Sequence, residues 1–315
     1  MRNSPIQPEE LFGVYPAIIT PMKPGNGLSN PIDYQKLFYL IDDLVKAGVK
    51  GLVVAGTTGQ SATLSPAEQA DFVKNVFLHV REAYGSGLQF IVGAGSNSTN
   101  EAKDLSQHIE NLIGPSTFLH VTGYYNNPPQ EGLIAHFSTL AYYLSKSNII
   151  MYNVPSRTGS EIMPETTIQL SRVNGIIGIK EASGKLDAVT KIIEGVDSSK
   201  FVVLSGEDHI VSDVIERGGK GVISASANIA PVYFVRIVNA ALAGNHAEAR
   251  RLQEEINPLV KDGVFYKKNP IPLAHMFNTE LRLPLVRLPY IEDHLNEVLA
   301  RYTPESLGVD IRRYR

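Results

Sequence analysis

One lysine stands at the end of an apolar run: Lys180 in GIIGIKEASG, residues 175–184. Such a run reads as a buried parallel strand, and lysine is rarely buried without a partner. Burial disfavours the charged form of an amine. A neutral amine where a strand leaves the core is a nucleophile that can condense with a ketone to a Schiff base. The protonated imine then acts as an electron sink for a carbanion beside the former carbonyl. The plainer reading is an ion pair with a nearby carboxylate such as Glu181 or Asp208. Lys23 also follows an apolar run, but PMKPGNG is polar and turn-rich, which suits a solvated lysine.

An imine route needs proton transfers and a hold on the substrate as well. Tyr152, near the end of the run NIIMYNVPS, offers a phenol that can relay protons along a hydrogen-bonded chain. Thr57 or Thr58 offers a hydroxyl that both donates and accepts, although Thr57-Thr58-Gly59 also reads as a simple turn. Tyr124 or Tyr125 could supply a second phenol, or merely pack with its hydroxyl in water. Arg157, five residues after Tyr152 in YNVPSRTG, carries a guanidinium fork suited to a carboxylate, or to a structural salt bridge. Gly206 and Asp208 follow another apolar run, and Ile223 lies within one.

Positioning these groups falls to eight short β-branched or apolar runs. They are VYPAIITPM (14–22), GLVVAGTTG (51–59), QFIVGAGS (89–96), STFLHVTGY (116–124), NIIMYNVPS (148–156), GIIGIKEAS (175–183), KFVVLSGED (200–208) and KGVISASAN (220–228). Each runs into Gly, Thr, Ser or Asn, the composition of a strand entering a loop. Helical patterns separate them, beginning with DYQKLFYLIDDLVKAG (33–48). In SPAEQADFVKNVFLHVREAYG (65–85), Ser65, Pro66 and Glu68 spell a capping box. Alternating strands and helices require a parallel sheet. Eight units predict an α/β fold of the (β/α)8 TIM-barrel type, whose active site lies at the C-terminal ends of the strands. An open doubly wound sheet is the runner-up, but GAGSN follows the third run and lacks the third glycine of a dinucleotide turn. The alternation stops near residue 230, which divides the chain into a barrel catalytic domain (1–230) and a C-terminal helical region (231–315).

The formal net charge of −3 leaves no basic field for nucleic acid or anionic lipid. With no cysteine, thiolate catalysis, disulfides and Cys-ligated metals are excluded. The N-terminal MRNSPIQPEELFG has no apolar signal core, and no run is long enough to span a membrane. A cytoplasmic enzyme acting on small molecules is expected, with neither nucleic-acid nor membrane partners. The histidines are scattered; His120 reads as a core residue, and His209 beside Asp208 is a poor pair for a metal. GGKG (218–221) is a weak phosphate-binding signal.

The chain resembles the pyruvate-dependent class I aldolase family of dihydrodipicolinate synthase and N-acetylneuraminate lyase. The matching stretches are GTTGQSATLS (56–65), VTGYYNNPPQEGLIAHF (121–137), YNVPSRTG (152–159), GIIGIKEASG (175–184), LSGED (204–208), GGKGVIS (218–224) and NPIPLAH (269–275). They come in family order over most of the chain. YNVPSRTG, with its arginine, is similar to the synthase branch rather than the lyase branch. The resemblance implies an imine between Lys180 and pyruvate, with Tyr152, Thr57 and Tyr125 as proton relay. Tyr125 would reach into the neighbouring subunit's site, within a homotetramer built from two dimers. Thr58 would hold the pyruvate carboxylate, Arg157 the carboxylate of aspartate-4-semialdehyde, and Gly206 and Ile223 would line the pocket with backbone groups. No cofactor is implied. The alternative within the family is a keto-deoxy sugar acid or sialic acid lyase.

Two departures from the family pattern stand out. Gln60 occupies a position usually held by Glu. The family's feedback site for lysine is matched by Ser61, Ala62, Asn97, Glu101 and Tyr124, but two positions often held by histidine are Pro66 and Gln69. Weak or absent inhibition by lysine is the expectation. The segment after NPIPLAHMFN is also short, which bears on contacts between dimers.

Overall fold

The computed structural model describes residues 2–314. Eight strands form one parallel sheet: β1 Gly13–Pro16, β2 Gly51–Val54, β3 Gln89–Gly93, β4 Thr117–Val121, β5 Asn148–Asn153, β6 Ile176–Glu181, β7 Val202–Ser205 and β8 Gly221–Ser224. Seven fall inside one of the eight apolar runs, and β1 starts one residue before its run. Their order is β1-β8-β7-β6-β5-β4-β3-β2. The remaining seam closes between β1 and β2, where Lys50 N donates to Val14 O at 3.0 Å and Ile18 N to Val53 O at 3.0 Å. The sheet is therefore a (β/α)8 barrel, as the alternation predicts. At the β1–β8 seam Gly221 allows a close approach, because a Cβ there would lie 2.0 Å from Gly13 O.

The outer layer begins with α1 Tyr34–Lys46, α2 Pro66–Tyr84, α3 Thr99–Ile113 and α4 Gln130–Tyr143. The short α5 Pro155–Thr158 and α6 Pro164–Leu170 follow β5; α7 Leu186–Gly195 follows β6, and α8 Val211–Glu216 follows β7. Local chemistry sets their starts. Asp33 accepts the amide of Lys36 to cap α1. Ser65 and Glu68 form the expected reciprocal capping box on α2, an arrangement in which the cap alone contributes about 1 kcal/mol. α9 Pro231–Leu242 packs on β1 and α8 and so serves as the barrel's eighth helix. Then come α10 His246–Pro258, a single π-helical stretch Leu259–Val264, α11 Ile271–Met276, α12 Glu292–Leu299 and α13 Pro304–Leu307.

Side chains alternate along each strand, so two cores form. Leu52, Val54, Phe90, Val92, Phe118, Ile149 and Ile179 pack outward against the helices. Tyr15, Val53, Ile91, Leu119, Ile150, Tyr152, Leu204 and Ile223 fill the barrel interior. GGKG is used structurally: the amides of Gly218 and Gly219 bond to Ile215 O and Val214 O at the end of α8, and that of Lys220 to Val203 O. Those three amides are thus committed rather than turned to a phosphate. His120 is fully buried on β4, as a core histidine. No helix among the described residues is long and apolar enough to cross a membrane.

Candidate active site

At the C-terminal mouth of the barrel lies a cavity of about 560 Å³, a size suited to small substrates. Lys180 on β6 stands directly opposite Tyr152 on β5 in the strand register. Both are buried, at 7% and 8% exposure, and both line the cavity. The Lys180 Nζ lies 4.1 Å from the centre of the Tyr152 ring, a cation–π contact.

Neither carboxylate considered from sequence pairs with that amine. Glu181 is the next residue on β6, and alternation turns it to the other face. There its Oε2 accepts from Asn153 Nδ2 at 2.8 Å and its Oε1 from Ser183 N at 2.7 Å. Burial raises its pKa against those hydrogen bonds. Asp208 is buried after β7, where its Oδ2 accepts from Ser226 N at 2.7 Å. Burial raises its pKa too. Among the described residues Lys180 has no ion-pair partner.

Gly206, at the exit of β7, is required by this packing. Its amide donates to Glu181 O at 2.7 Å, and its bare Cα leaves room for the stem of Lys180. Thr57 and Thr58 form the turn after β2, and both line the cavity. Thr58 Oγ1 accepts from Asn269 Nδ2 at 2.8 Å, which leaves its own hydroxyl proton to donate elsewhere. Arg157 sits in α5 at the rim, where its Nη2 donates to Asn269 O at 3.2 Å. Asn269 therefore braces two of the predicted residues at once. It belongs to the segment Phe265–Asn269, which roofs the cavity and also brings Lys267 and Lys268 to its wall. Sequence reasoning quoted NPIPLAH but assigned it no role; its distance along the chain hid the contact.

Other expected residues fall differently. Ile223 is in the barrel interior, and Ala225, just past the end of β8, reaches the cavity wall. Tyr125 is 96% exposed, with its backbone in the left-handed region at φ 73°, and its ring is absent from the cavity of the single chain. Its amide bonds Thr158 O at 3.3 Å, tying that loop to the exit of β5. Gln60 is buried with its side chain turned from the cavity: Oε1 accepts from Arg282 N at 3.1 Å and Nε2 faces Met22 Sδ at 3.8 Å.

Of the residues matched to a lysine site, Ser61 lines the cavity and Ala62 is exposed beside it. Asn97 Oδ1 accepts from Tyr124 N at 3.0 Å. Glu101 accepts from Ser96 Oγ at 2.7 Å and is otherwise open to solvent. Gln69 is spent inward, its Nε2 donating to Gly93 O at 2.7 Å, and Pro66 is the first residue of α2.

A further cavity residue escaped sequence reasoning. Glu207 lines the wall beside Gly206. Burial, with help from Asp208 and Glu181, pushes its pKa up to about 7, against the pull of Lys180 and Arg157. The motif LSGED held it in plain view, but attention went to its neighbours.

An unpaired amine at the mouth of a closed parallel barrel, faced by a phenol, is what Schiff-base chemistry demands, and the chain is a lyase of the class I aldolase type. Residues 10–299 match the Dihydrodipicolinate synthetase family, and the chain belongs to that family. It is 41% identical to the 4-hydroxy-tetrahydrodipicolinate synthase of Methanococcus maripaludis strain S2 over 283 residues, 88% of this chain and 93% of the relative. It is also 41% identical to that of Methanocaldococcus jannaschii over 289 residues, 90% and 94% of the two chains. A crystal structure of a dihydrodipicolinate synthase superposes with a TM-score of 0.84 at 40% identity, covering 92% of this chain and 99% of the other.

Proposed function

We propose that the protein condenses pyruvate with aspartate-4-semialdehyde to 4-hydroxy-tetrahydrodipicolinate, a step toward lysine and diaminopimelate. The observation that carries this reading is the buried, unpaired Lys180 facing Tyr152 inside a cavity with an arginine at its rim. Pyruvate enters an electropositive mouth made by Arg157, Lys267 and Lys268. Its carboxylate accepts a hydrogen bond from the Thr58 hydroxyl. Nζ of Lys180 adds to the ketone carbon, and water leaves after proton transfers through Tyr152 and Thr57. Loss of a methyl proton gives the enamine, whose carbon adds to the aldehyde held by Arg157. The substrate's ammonium then loses a proton, and the free amine attacks the imine carbon and releases Lys180. No metal or organic cofactor is needed, because the iminium nitrogen accepts the electron pair.

Tyr125 completes the relay from a neighbouring subunit, in a homotetramer made of two dimers. Its outward, strained conformation supports that role, since a left-handed backbone at a bulky residue persists only where surroundings use it. Gly206 shapes the wall, and Ile223 supports it from the barrel interior. Cytoplasmic conditions suit a chain without cysteine.

The test is borohydride reduction in the presence of pyruvate, read by intact mass and peptide mapping. A pyruvate-derived adduct on Lys180 is expected, together with condensation of the two substrates in a coupled assay. Lys180→Ala should give neither. An adduct elsewhere, or condensation by Lys180→Ala, would overturn the reading.

A further inference from the structure

Three acids lie near the end of β6 and β7, and their side chains are not equivalent. Glu181 is spent on Asn153 and Ser183, and Asp208 on Ser226. Glu207 alone lines the cavity; among the described residues of its wall it is the sole acid. Among the described residues its carboxylate finds no hydrogen-bond donor. The nearest cation candidate, His209 Nδ1, is 3.6 Å from Oε2, beyond hydrogen-bond range. The backbone of Glu207, by contrast, is fixed: Ser205 Oγ donates to its carbonyl at 2.8 Å and accepts its amide at 3.3 Å. A half-buried carboxylate held on a fixed backbone, without a donor, is a site waiting for a cation.

The amino-aldehyde substrate supplies one. It carries three groups to be recognised: a carboxylate, an aldehyde and an ammonium. Arg157 matches the carboxylate, and the enamine on Lys180 consumes the aldehyde. The ammonium needs an anion, and the other charged groups of the wall, Lys180, Arg157, Lys267 and Lys268, are all cationic.

We propose that Glu207 binds the ammonium of the amino-aldehyde and so selects it over an aldehyde acid lacking that group. The inference rests on the functional reading above. Glu207 and Arg157 then clasp the two charges of one zwitterion, which orients its aldehyde toward the enamine. The groups facing Glu207 set its charge: Asp208 and Glu181 disfavour the carboxylate, Lys180 and Arg157 favour it, and His209 stands beside it. An arriving ammonium adds a further positive charge and completes the balance.

The experiment compares wild type with Glu207→Gln, which keeps shape and removes charge. Three quantities are read: the KM for aspartate-4-semialdehyde, the inhibition constant of succinate semialdehyde against it, and borohydride trapping of pyruvate on Lys180. Succinate semialdehyde has the same carbon chain and no amino group. The KM should rise about 10- to 100-fold, as for a lost charged hydrogen bond. The inhibition constant and the trapping should stay within about twofold. Equal shifts for both aldehydes, an unchanged KM, or loss of trapping in a folded variant would each overturn the proposal. If wild type itself fails to condense the amino-aldehyde, it is the functional reading that fails, and the two failures are thus told apart.

Discussion

Gly206→Ala tests whether the wall of the barrel, rather than the lysine alone, makes the nucleophile. A methyl group at Gly206 would sit 2.6 Å from Ala182 Cβ, 3.0 Å from Lys180 Cγ and 3.1 Å from Glu181 O. Carbon atoms rest at about 3.5–4.0 Å, so roughly 1 Å must be opened on two sides. The backbone of Gly206 is not left-handed, so collision is the whole of the effect. Ala182 yields poorly, since its amide is held by Asn153 O at 2.8 Å. The flexible stem of Lys180 yields instead. Overpacking of this kind costs about 1–3 kcal/mol, which a barrel of this size survives. Displacing a reacting atom by about 1 Å costs on the order of 100-fold in rate. The assay is the rate of pyruvate adduct formation under borohydride, set beside a denaturant melt. A folded variant, slower by about 100-fold in adduct formation, is expected. Adduct formation at the wild-type rate in a folded Gly206→Ala would refute the packing argument.

Arg157→Ala should leave pyruvate trapping on Lys180 intact and lower kcat/KM for the aldehyde by about 10- to 100-fold, the worth of a charged hydrogen bond; an unchanged aldehyde KM would contradict its role. The buried imidazoles of His120 and His136 make a separate prediction about acid. Burial lowers their pKa values from 6.5 to about 3 and about 4. Both are neutral when folded, and the unfolded chain protonates them first. Their stability contribution is complete above pH 6.5 and drains as the pH falls toward those folded values, by about 2 kcal/mol each near pH 5. Denaturant melts between about pH 7.5 and pH 5 should show that slope, and His136→Gln should reduce it; an equal slope in the variant would count against the assignment.

The barrel was legible because each strand announces itself locally: an apolar run, then small polar residues. The gathering of Lys180, Tyr152, Thr57, Thr58 and Arg157 around one cavity was legible for the same reason, since position at or just past a strand end already implies the mouth of the barrel. What could not be read is contact between distant segments. Asn269 meets Thr58 across 211 positions of sequence, and no spacing rule predicts that bond. Ile223 sits in the interior core, while Ala225, just past the end of β8, is the residue of that segment on the cavity wall.

The acids make the general point. Glu181, Glu207 and Asp208 all flank Lys180's strand end, and composition treats them alike. Alternation sends Glu181 outward, and an amide of the next loop captures Asp208. Had either reached Nζ, a salt bridge would occupy the amine that must meet the ketone. The protein keeps the nucleophile by assigning those two acids other donors. Glu207 remains, close enough to feel both Lys180 and Arg157 yet without a hydrogen-bond donor of its own among the described residues. Reactivity here depends as much on where the negative charges are detained as on where the amine is put.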